Sequence, residues 1–272
     1  MRCATNTEKR VTTGDYLFPN SDPETVGRFA ALSELFDDVS IHHLKRLAVG
    51  VGWHCLEVGA GAGSIAKWLA ACVGPSGRVL ATDIDPCFLK CMKSPNIEVR
   101  QHDIVTDALP ETSFDLVHSR LVLHHIPQRE QALERLISAL KPGGWILLED
   151  HDSVSMPPDP TTSAGEILLK AQLAAWKVLD DGGVNRSYGR LLFGRLRAYG
   201  LTDVGAEARA FMWQSGSAGA AILRANFQQL RAAMISRGYV TPQEFEDDLS
   251  RLDQPEFVAP SGILWSCWGR KQ

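Results

Sequence analysis

Apolar residues recur at three- and four-residue intervals between Pro23 and about Leu47 (Val26, Phe29, Ala30, Leu32, Leu35, Phe36, Val39), which is the spacing of one helix face. The fifteen residues before this stretch have no such period and are expected to be loose. After Gly50 and Gly52 the pattern changes. Short apolar runs at 55–58, 78–82, 97–100, 114–118 and 145–149 read as strands. Helical patterns fall between them at Ser64–Val73, briefly around Phe88–Met92, and at Gln128–Leu140. Five short apolar strands alternating with helices predict a doubly wound α/β layer with a mostly parallel sheet.

Beyond Asp150 the alternation loosens. Residues 153–160 carry three prolines and read as a linker or loop. A helix of about 18 residues is predicted next, with Ile167, Leu168, Ala171, Ala174, Ala175 and Val178 on one face. A second helix spans Tyr188–Tyr199 and stops at Gly200. A strand is expected over Asp203–Trp213, helices near 218–237 and 242–252, and a last strand over about Phe257–Trp268. The chain therefore divides into a helical N-terminal region (1–45), an α/β core (46–152), and helical insertions followed by the last strands of the same sheet (153–272).

The 272 residues are 44% hydrophobic and 22% charged, ample for a buried core and unlike a disordered or fibrous chain. With 28 Lys+Arg against 32 Asp+Glu the net charge is −4, which argues against nucleic acid as a partner. No apolar run reaches the roughly 18 residues of a membrane span, so no membrane partner is expected. The polar N-terminus lacks the apolar centre of a signal peptide, and the six cysteines contain no CxxC. These features predict a cytoplasmic location with reduced, buried thiols. A homo-oligomer is compatible with the sequence, which fixes no number of subunits. No metal site is expected, because Cys87 and Cys91 have no further ligand at zinc spacing.

The chemistry concentrates in Glu57-Val58-Gly59-Ala60-Gly61-Ala62-Gly63, at a strand-to-helix turn. Glycines let the backbone turn sharply and approach a ligand without a Cβ in the way. A dinucleotide fingerprint would place its third glycine at position 64, which is Ser64. Glu57 also opposes a pyrophosphate by like charge, and suits a ligand with an ammonium group.

These residues resemble the class I S-adenosylmethionine-dependent methyltransferases, whose first motif is an acidic residue followed by GxGxG. Further matches follow in order: Asp83 in Ala81-Thr82-Asp83-Ile84-Asp85, His102-Asp103-Ile104 after the third strand, Ser113-Phe114-Asp115-Leu116-Val117, and Leu140-Lys141-Pro142-Gly143-Gly144. Together they cover about residues 50–150. The resemblance implies a Rossmann-like methyltransferase sheet, mostly parallel with its last strand antiparallel, carrying a helical N-terminal lid and cap insertions. It implies S-adenosylmethionine as cofactor and S-adenosylhomocysteine as product. Asp83 would take the ribose hydroxyls, Asp103 the adenine amino group, and Ile104 would pack on the adenine ring. The other cofactor-binding candidates are Glu57, Gly59, Ala60, Gly61, Ile84, Ser119 and Tyr16. Tyr16 and Arg28 lie in the segment that commonly folds over the cofactor in this family, where either could reach the methionine carboxylate.

Arg120-Leu121-Val122-Leu123-His124-His125 is similar to the histidine-containing stretch of small-molecule O-methyltransferases. Their general base falls at the position of His124, which is the candidate catalytic residue here. His125 and His151 are weaker candidates for the same role. Amino-methylating nucleic-acid enzymes carry an Asn/Asp-Pro-Pro-aromatic motif after the fourth strand, where this chain reads His118-Ser119-Arg120-Leu121. The cytosine-C5 and metal-dependent catechol types are excluded likewise, by the placement of Pro86-Cys87 and by the missing acid after the fourth strand. The expected function is methyl transfer to oxygen or carbon of a small secondary-metabolite or quinone-like acceptor. The alternative is a protein of this fold that binds the cofactor but catalyses a cyclisation or rearrangement. Apolar faces around Leu168, Leu192, Phe193 and Phe227 suggest a compact apolar or aromatic substrate.

Overall fold

The computed structural model describes residues 17–155 and 169–272. In chain order the elements are α1 (Thr25–Arg46), β1 (His54–Val58), α2 (Ser64–Val73), β2 (Arg78–Asp83), β3 (Ile97–Gln101), β4 (Phe114–Arg120), α3 (Arg129–Ala139) and β5 (Leu140–Asp152). They continue with α4 (Lys170–Asp181), α5 (Leu192–Ala198), β6 (Thr202–Arg209), β7 (Met212–Gln214), α6 (Ala218–Ser236), α7 (Pro242–Arg251), β8 (Val258–Pro260) and β9 (Ile263–Arg270). Short 3₁₀ turns lie at Pro86–Cys91, Leu123–His125 and Gly189–Leu191.

The chain forms two compact units. Among the described residues, one comprises 36–152, 187–209 and 264–272, and the other comprises 17–35, 153–155, 169–186 and 210–263. The first holds a seven-stranded sheet in the order β3-β2-β1-β4-β5-β9-β6. Pairings β1–β2, β1–β4, β2–β3 and β4–β5 are parallel, whereas β9 runs antiparallel to β6 at the edge. The doubly wound, mostly parallel sheet with an antiparallel last strand is thus observed.

Strand alternation explains how this sheet is covered. Leu56 and Val58 point to one face, where they pack with Val117, Ile146 and Leu148 and with Leu133 and Leu136 of α3. Cys55, Leu116 and Leu147 point to the other, against Leu69 of α2 and Leu44 of α1. Glu57 stands one pleat beyond Cys55, on this second face, and is buried there. A carboxylate in that position needs a partner to offset its lost hydration.

The second unit is mainly helical. Its core joins Ala171, Ala174 and Val178 of α4 to Phe227, Leu230 and Met234 of α6 and to Phe245 and Leu249 of α7, with β7 and β8 forming a separate two-stranded sheet. Helix α7 starts where the sequence directs it. Thr241 and Glu244 form a reciprocal capping box, and Pro242 occupies the first turn.

Several boundaries differ from expectation. The predicted strand Asp203–Trp213 is two strands in different sheets, β6 and β7, and the last strand is likewise split into β8 and β9. Pro260 and Gly262 interrupt the second, and the Ser261 N–H donates to the Phe211 carbonyl at 2.8 Å, continuing the β7–β8 register before β9 begins. Helix α4 has 12 residues within the described range, and Ile167 and Leu168 lie outside that range. The thiols of Cys55 and Cys267 are buried, but Cys72 and Cys87 are half-buried. Among the described residues, no helix is long and apolar enough to cross a membrane.

Candidate functional site

The candidate site is built at the carboxyl ends of β1, β2 and β4. After Val58 the chain turns through Gly59, Gly61 and Gly63 at φ values of 69°, 54° and 80°. A Cβ at Gly59 would stand 2.2 Å from Val122 Cγ2, and one at Gly63 would stand 2.5 Å from Met92 Sδ. Both positions thus require glycine twice over, for handedness and for space. The Ala60 N–H donates to the Thr82 carbonyl at 3.0 Å, which ties the turn to the end of β2.

Asp83 is the last residue of β2 and is buried. Its Oδ2 accepts from the Gly61 N–H at 2.9 Å and its Oδ1 from the Asp85 N–H at 3.0 Å. Burial pushes its carboxyl pKa above the ordinary value, against the opposing pull of those backbone donors. A carboxylate oxygen accepts more than one hydrogen bond, so Asp83 keeps capacity for two hydroxyl donors. Asp103 is half-buried and accepts from the Val105 N–H at 2.9 Å, while its own N–H donates to Asp107 Oδ2 at 3.0 Å.

The remaining cofactor candidates occupy different settings. Ile84 is exposed, whereas Ile104 is buried in the core with Val58 and Leu80. Ser119 is buried and its hydroxyl donates to the Val58 carbonyl at 3.2 Å, so it already has a partner within the sheet. Tyr16 lies outside the described residues. Arg28 is buried in the helical unit, donating to Asn226 Oδ1 at 2.9 Å with its guanidinium 4.4 Å from the Phe18 ring centroid. Leu192 and Phe227 are buried in the cores of their own units, and Leu168 lies outside the described range. Of the three described side chains, Phe193 alone is exposed.

Just after β4 the backbone departs from ordinary geometry. Leu121 has φ of 58°, a left-handed conformation costly for a branched side chain, and its N–H donates to the Glu149 carbonyl at 2.7 Å. The turn places His124 beside β5, where its Nδ1 hydrogen-bonds Asp150 Oδ1. Both side chains are buried, at 7% and 2% exposure. An Nδ1–H donated to a carboxylate fixes the tautomer and leaves the Nε2 lone pair as an acceptor. The His125 ring centroid lies 3.9 Å from that of His124, and that of His151 lies 6.3 Å away, with the His151 and Phe36 planes at 76°.

A second buried histidine has a contrasting role. His118 of β4 is fully buried between two acids, with Nδ1 2.6 Å from Glu57 Oε2 and Nε2 3.2 Å from Glu149 Oε2. Burial alone would pull the imidazole pKa down. The charge of Glu57 and the hydrogen bonds to Glu149 and Glu57 outweigh it and raise the value to about 9. Glu149 is lowered to about 2, since the His118 hydrogen bond and charge overcome its own burial. Ser266 donates to Glu149 Oε1 at 2.6 Å, and Ser40 donates to Oε2. Arg120 bonds Ser40 at 2.9 Å and Asp37 at 2.8 Å. The sequence reading did not single out Asp150, Glu149 or His118 as partners. The available signal was polar residues at strand positions whose neighbours are apolar. Away from this site, ligand atoms of His42, His43 and Glu207 lie within 4.8 Å of one another, but the Arg46 guanidinium already pairs with Glu207.

Residues 56–148 match the methyltransferase domain family. This segment of the chain is similar to a methyltransferase domain. The domain spans β1 to β5 and contains the Gly-rich turn, Asp83, Asp103 and His124. The methyltransferase str2 of Strobilurus tenacellus is 38% identical over 98 residues, covering 36% of this chain and 35% of that protein. A ubiquinone/menaquinone biosynthesis C-methyltransferase, UbiE of Hahella chejuensis, is 31% identical over 151 residues, covering 49% and 59%. The chain therefore spans between about a third and three-fifths of the length of these relatives. The solved phosphoethanolamine N-methyltransferase 2 of Haemonchus contortus, in complex with S-adenosyl-L-methionine, superposes with a TM-score of 0.59 at 16% identity, covering 98% of this chain and 62% of that one. That likeness shows a shared fold.

Proposed function

We propose that this protein transfers a methyl group from S-adenosylmethionine to oxygen or carbon of a small secondary-metabolite or quinone-like molecule. The residues present fit that cofactor. The site residues that would contact it include Glu57, Asp83 and Asp103 but no lysine or arginine, a set suited to an ammonium, a ribose and an adenine amino group and opposed to a pyrophosphate. Asp83 would hold the ribose hydroxyls, the Gly59–Gly63 turn would admit the amino-acid portion, Glu57 would take the ammonium, and Asp103 the adenine. Tyr16, Ile84, Ile104 and Ser119 remain proposed neighbours of the cofactor. When bound, S-adenosylmethionine supplies an already activated methyl electrophile on a sulfonium.

The observation that carries the reading is the His124–Asp150 pair beside the Gly-rich turn's strand. Asp150 holds the ring with Nδ1 protonated, so Nε2 can accept the proton of an acceptor hydroxyl or acidic carbon as its bond to methyl forms. The resulting imidazolium is stabilised by the adjacent carboxylate. His125 and His151 are not needed in this scheme. The soft carbon nucleophile of a quinol ring and a phenol oxygen both need such a base.

The test is product mass spectrometry with methyl-labelled cofactor and a panel of phenols, quinols and activated carbon acids. A labelled product heavier by one methylene supports the reading. Conversion to an isomer with no label gained would transfer the site to a cyclisation or rearrangement. Calorimetry should also detect S-adenosylhomocysteine binding and no NAD binding.

A further inference from the structure

We infer that His118 is the positioning residue for the cofactor's amino group, acting through Glu57, an inference that rests on the cofactor reading above. Its two carboxylate partners are not equivalent. Glu149 is saturated from several sides, because Ser266 donates to one oxygen while Ser40 and His118 donate to the other. Ser40 is in turn held by Arg120, whose other nitrogen is held by Asp37, which also accepts from Ser64 at 3.0 Å. That end of the network is anchored to β9, α1 and α2.

The other end is open. Glu57 Oε2 is engaged by His118 Nδ1 at 2.6 Å, and among the described residues Oε1 accepts no hydrogen bond. Glu57 lies on β1 directly opposite His118 in the parallel register and is the first residue of the Gly-rich motif. An imidazole can donate to two carboxylates only when both nitrogens are protonated, so His118 serves as a buried cation shared between the acids. It gives the buried Glu57 side chain a charged hydrogen-bond partner and fixes one of its oxygens. The remaining oxygen is the one an incoming ammonium group would use. Fixing the acid beforehand lowers the ordering cost of binding.

The two ring nitrogens can be tested separately. Glutamine places its amide nitrogen near the position of Nε2 and asparagine near that of Nδ1. His118→Gln should therefore keep the bond to Glu149 and lose that to Glu57, while His118→Asn should do the reverse. Calorimetry would compare S-adenosylhomocysteine with 5′-methylthioadenosine, which has the same nucleoside but no amino acid. In His118→Gln the first ligand should weaken by about tenfold or more, as for loss of a charge-assisted contact, with the second changing less than about twofold. His118→Asn should restore most of the loss. Combined with Glu57→Gln, which alone weakens S-adenosylhomocysteine, His118→Gln should add almost nothing, as expected of residues acting through one contact.

Equal weakening of both ligands in His118→Gln would reveal a merely structural role and overturn the inference. So would unchanged S-adenosylhomocysteine affinity, full additivity with Glu57→Gln, or no effect of Glu57→Gln alone. Wild-type protein that binds neither ligand would remove the cofactor reading itself. If His118→Gln does not fold, the Asn variant and the Glu57→Gln arm decide, since 5′-methylthioadenosine binding reports an intact domain.

Discussion

Two histidines in one stretch of β4 and its following turn have opposite environments. His118 has a carboxylate on each ring nitrogen and no exposure, so neither nitrogen is available to a ligand. His124, six residues later, has a carboxylate on Nδ1 only. The same side chain becomes a fixed cation in the first case and a proposed proton acceptor in the second. The difference comes from partner number, set by where each lies on the sheet. His118 is within the strand, flanked by β1 and β5 side chains of the same face, whereas the left-handed residue Leu121 lifts His124 out of the ladder. Strain of this kind at a strand end is a common accompaniment of functional turns.

The comparison breaks most sharply at His124. His124→Ala should reduce turnover by about 10²–10⁴-fold with S-adenosylhomocysteine affinity nearly constant, because a general base contributes to the chemical step and not to cofactor binding. Asp150→Asn should follow in the same direction, through the wrong tautomer or a weaker orienting bond. A loss smaller than roughly tenfold in His124→Ala would exclude an essential base there. The acceptor would then be already nucleophilic, and alignment in a dry site would carry the reaction.

Next in size is Asp83→Ala. Loss of hydrogen bonds to a charged group should weaken S-adenosylhomocysteine by about 1.5–3 kcal/mol, measurable by calorimetry. Turnover at saturating cofactor should change far less, which separates this end of the site from His124. Unchanged affinity would overturn the ribose assignment.

How far these assignments were legible beforehand follows from what kind of signal each residue gives. Periodicity and the ordered motifs located the five parallel strands, the turn at Gly59–Gly63 and Asp83, because these depend on local backbone needs and short spacings. The pairs His124–Asp150 and His118–Glu149 were not legible as pairs. Their members are 26 and 31 residues apart, and only the β4–β5 register brings them together. Where apolar alternation ran on past an edge, as at Arg209 to Met212, composition gave no notice that the chain leaves one sheet for another. Phe227 shows a related limit. Its apolar helix face signalled burial correctly, but the face packs inside its own unit and gives no information on the substrate.

The His118 side of the comparison can be sharpened with pH. Its pKa rises from 6.5 to about 9 on folding, so its contribution to stability is complete below pH 6.5 and is lost as pH rises through about 9. Glu149 falls from 4.5 to about 2, so its contribution is present above pH 4.5 and is lost as pH falls through about 2. Together they place the most favourable window for this network between about pH 4.5 and 6.5. Thermal unfolding of wild type and His118→Asn across pH should show the variant losing less stability between pH 6.5 and 9 than wild type. Parallel profiles over that interval would mean that His118 is not the buried cation.

The smallest effect is expected at His151, and it matters because His151 was the rival base. Its ring centroid is 6.3 Å from that of His124 and 5.5 Å from that of Phe36, with the latter two planes at 76°. Asp150, its chain neighbour, is committed to His124, so the orienting carboxylate serves the other ring. That carboxylate stabilises the imidazolium formed as His124 takes a proton. With the proton path assigned to His124, His151→Ala should lower turnover by less than about tenfold. The double variant His124→Ala/His151→Ala should be close to His124→Ala, because the second change touches no step the first has left intact. A loss in His151→Ala as large as that of His124→Ala would instead require both rings in one proton path. The single-partner environment of His124 would then no longer be sufficient to explain its role.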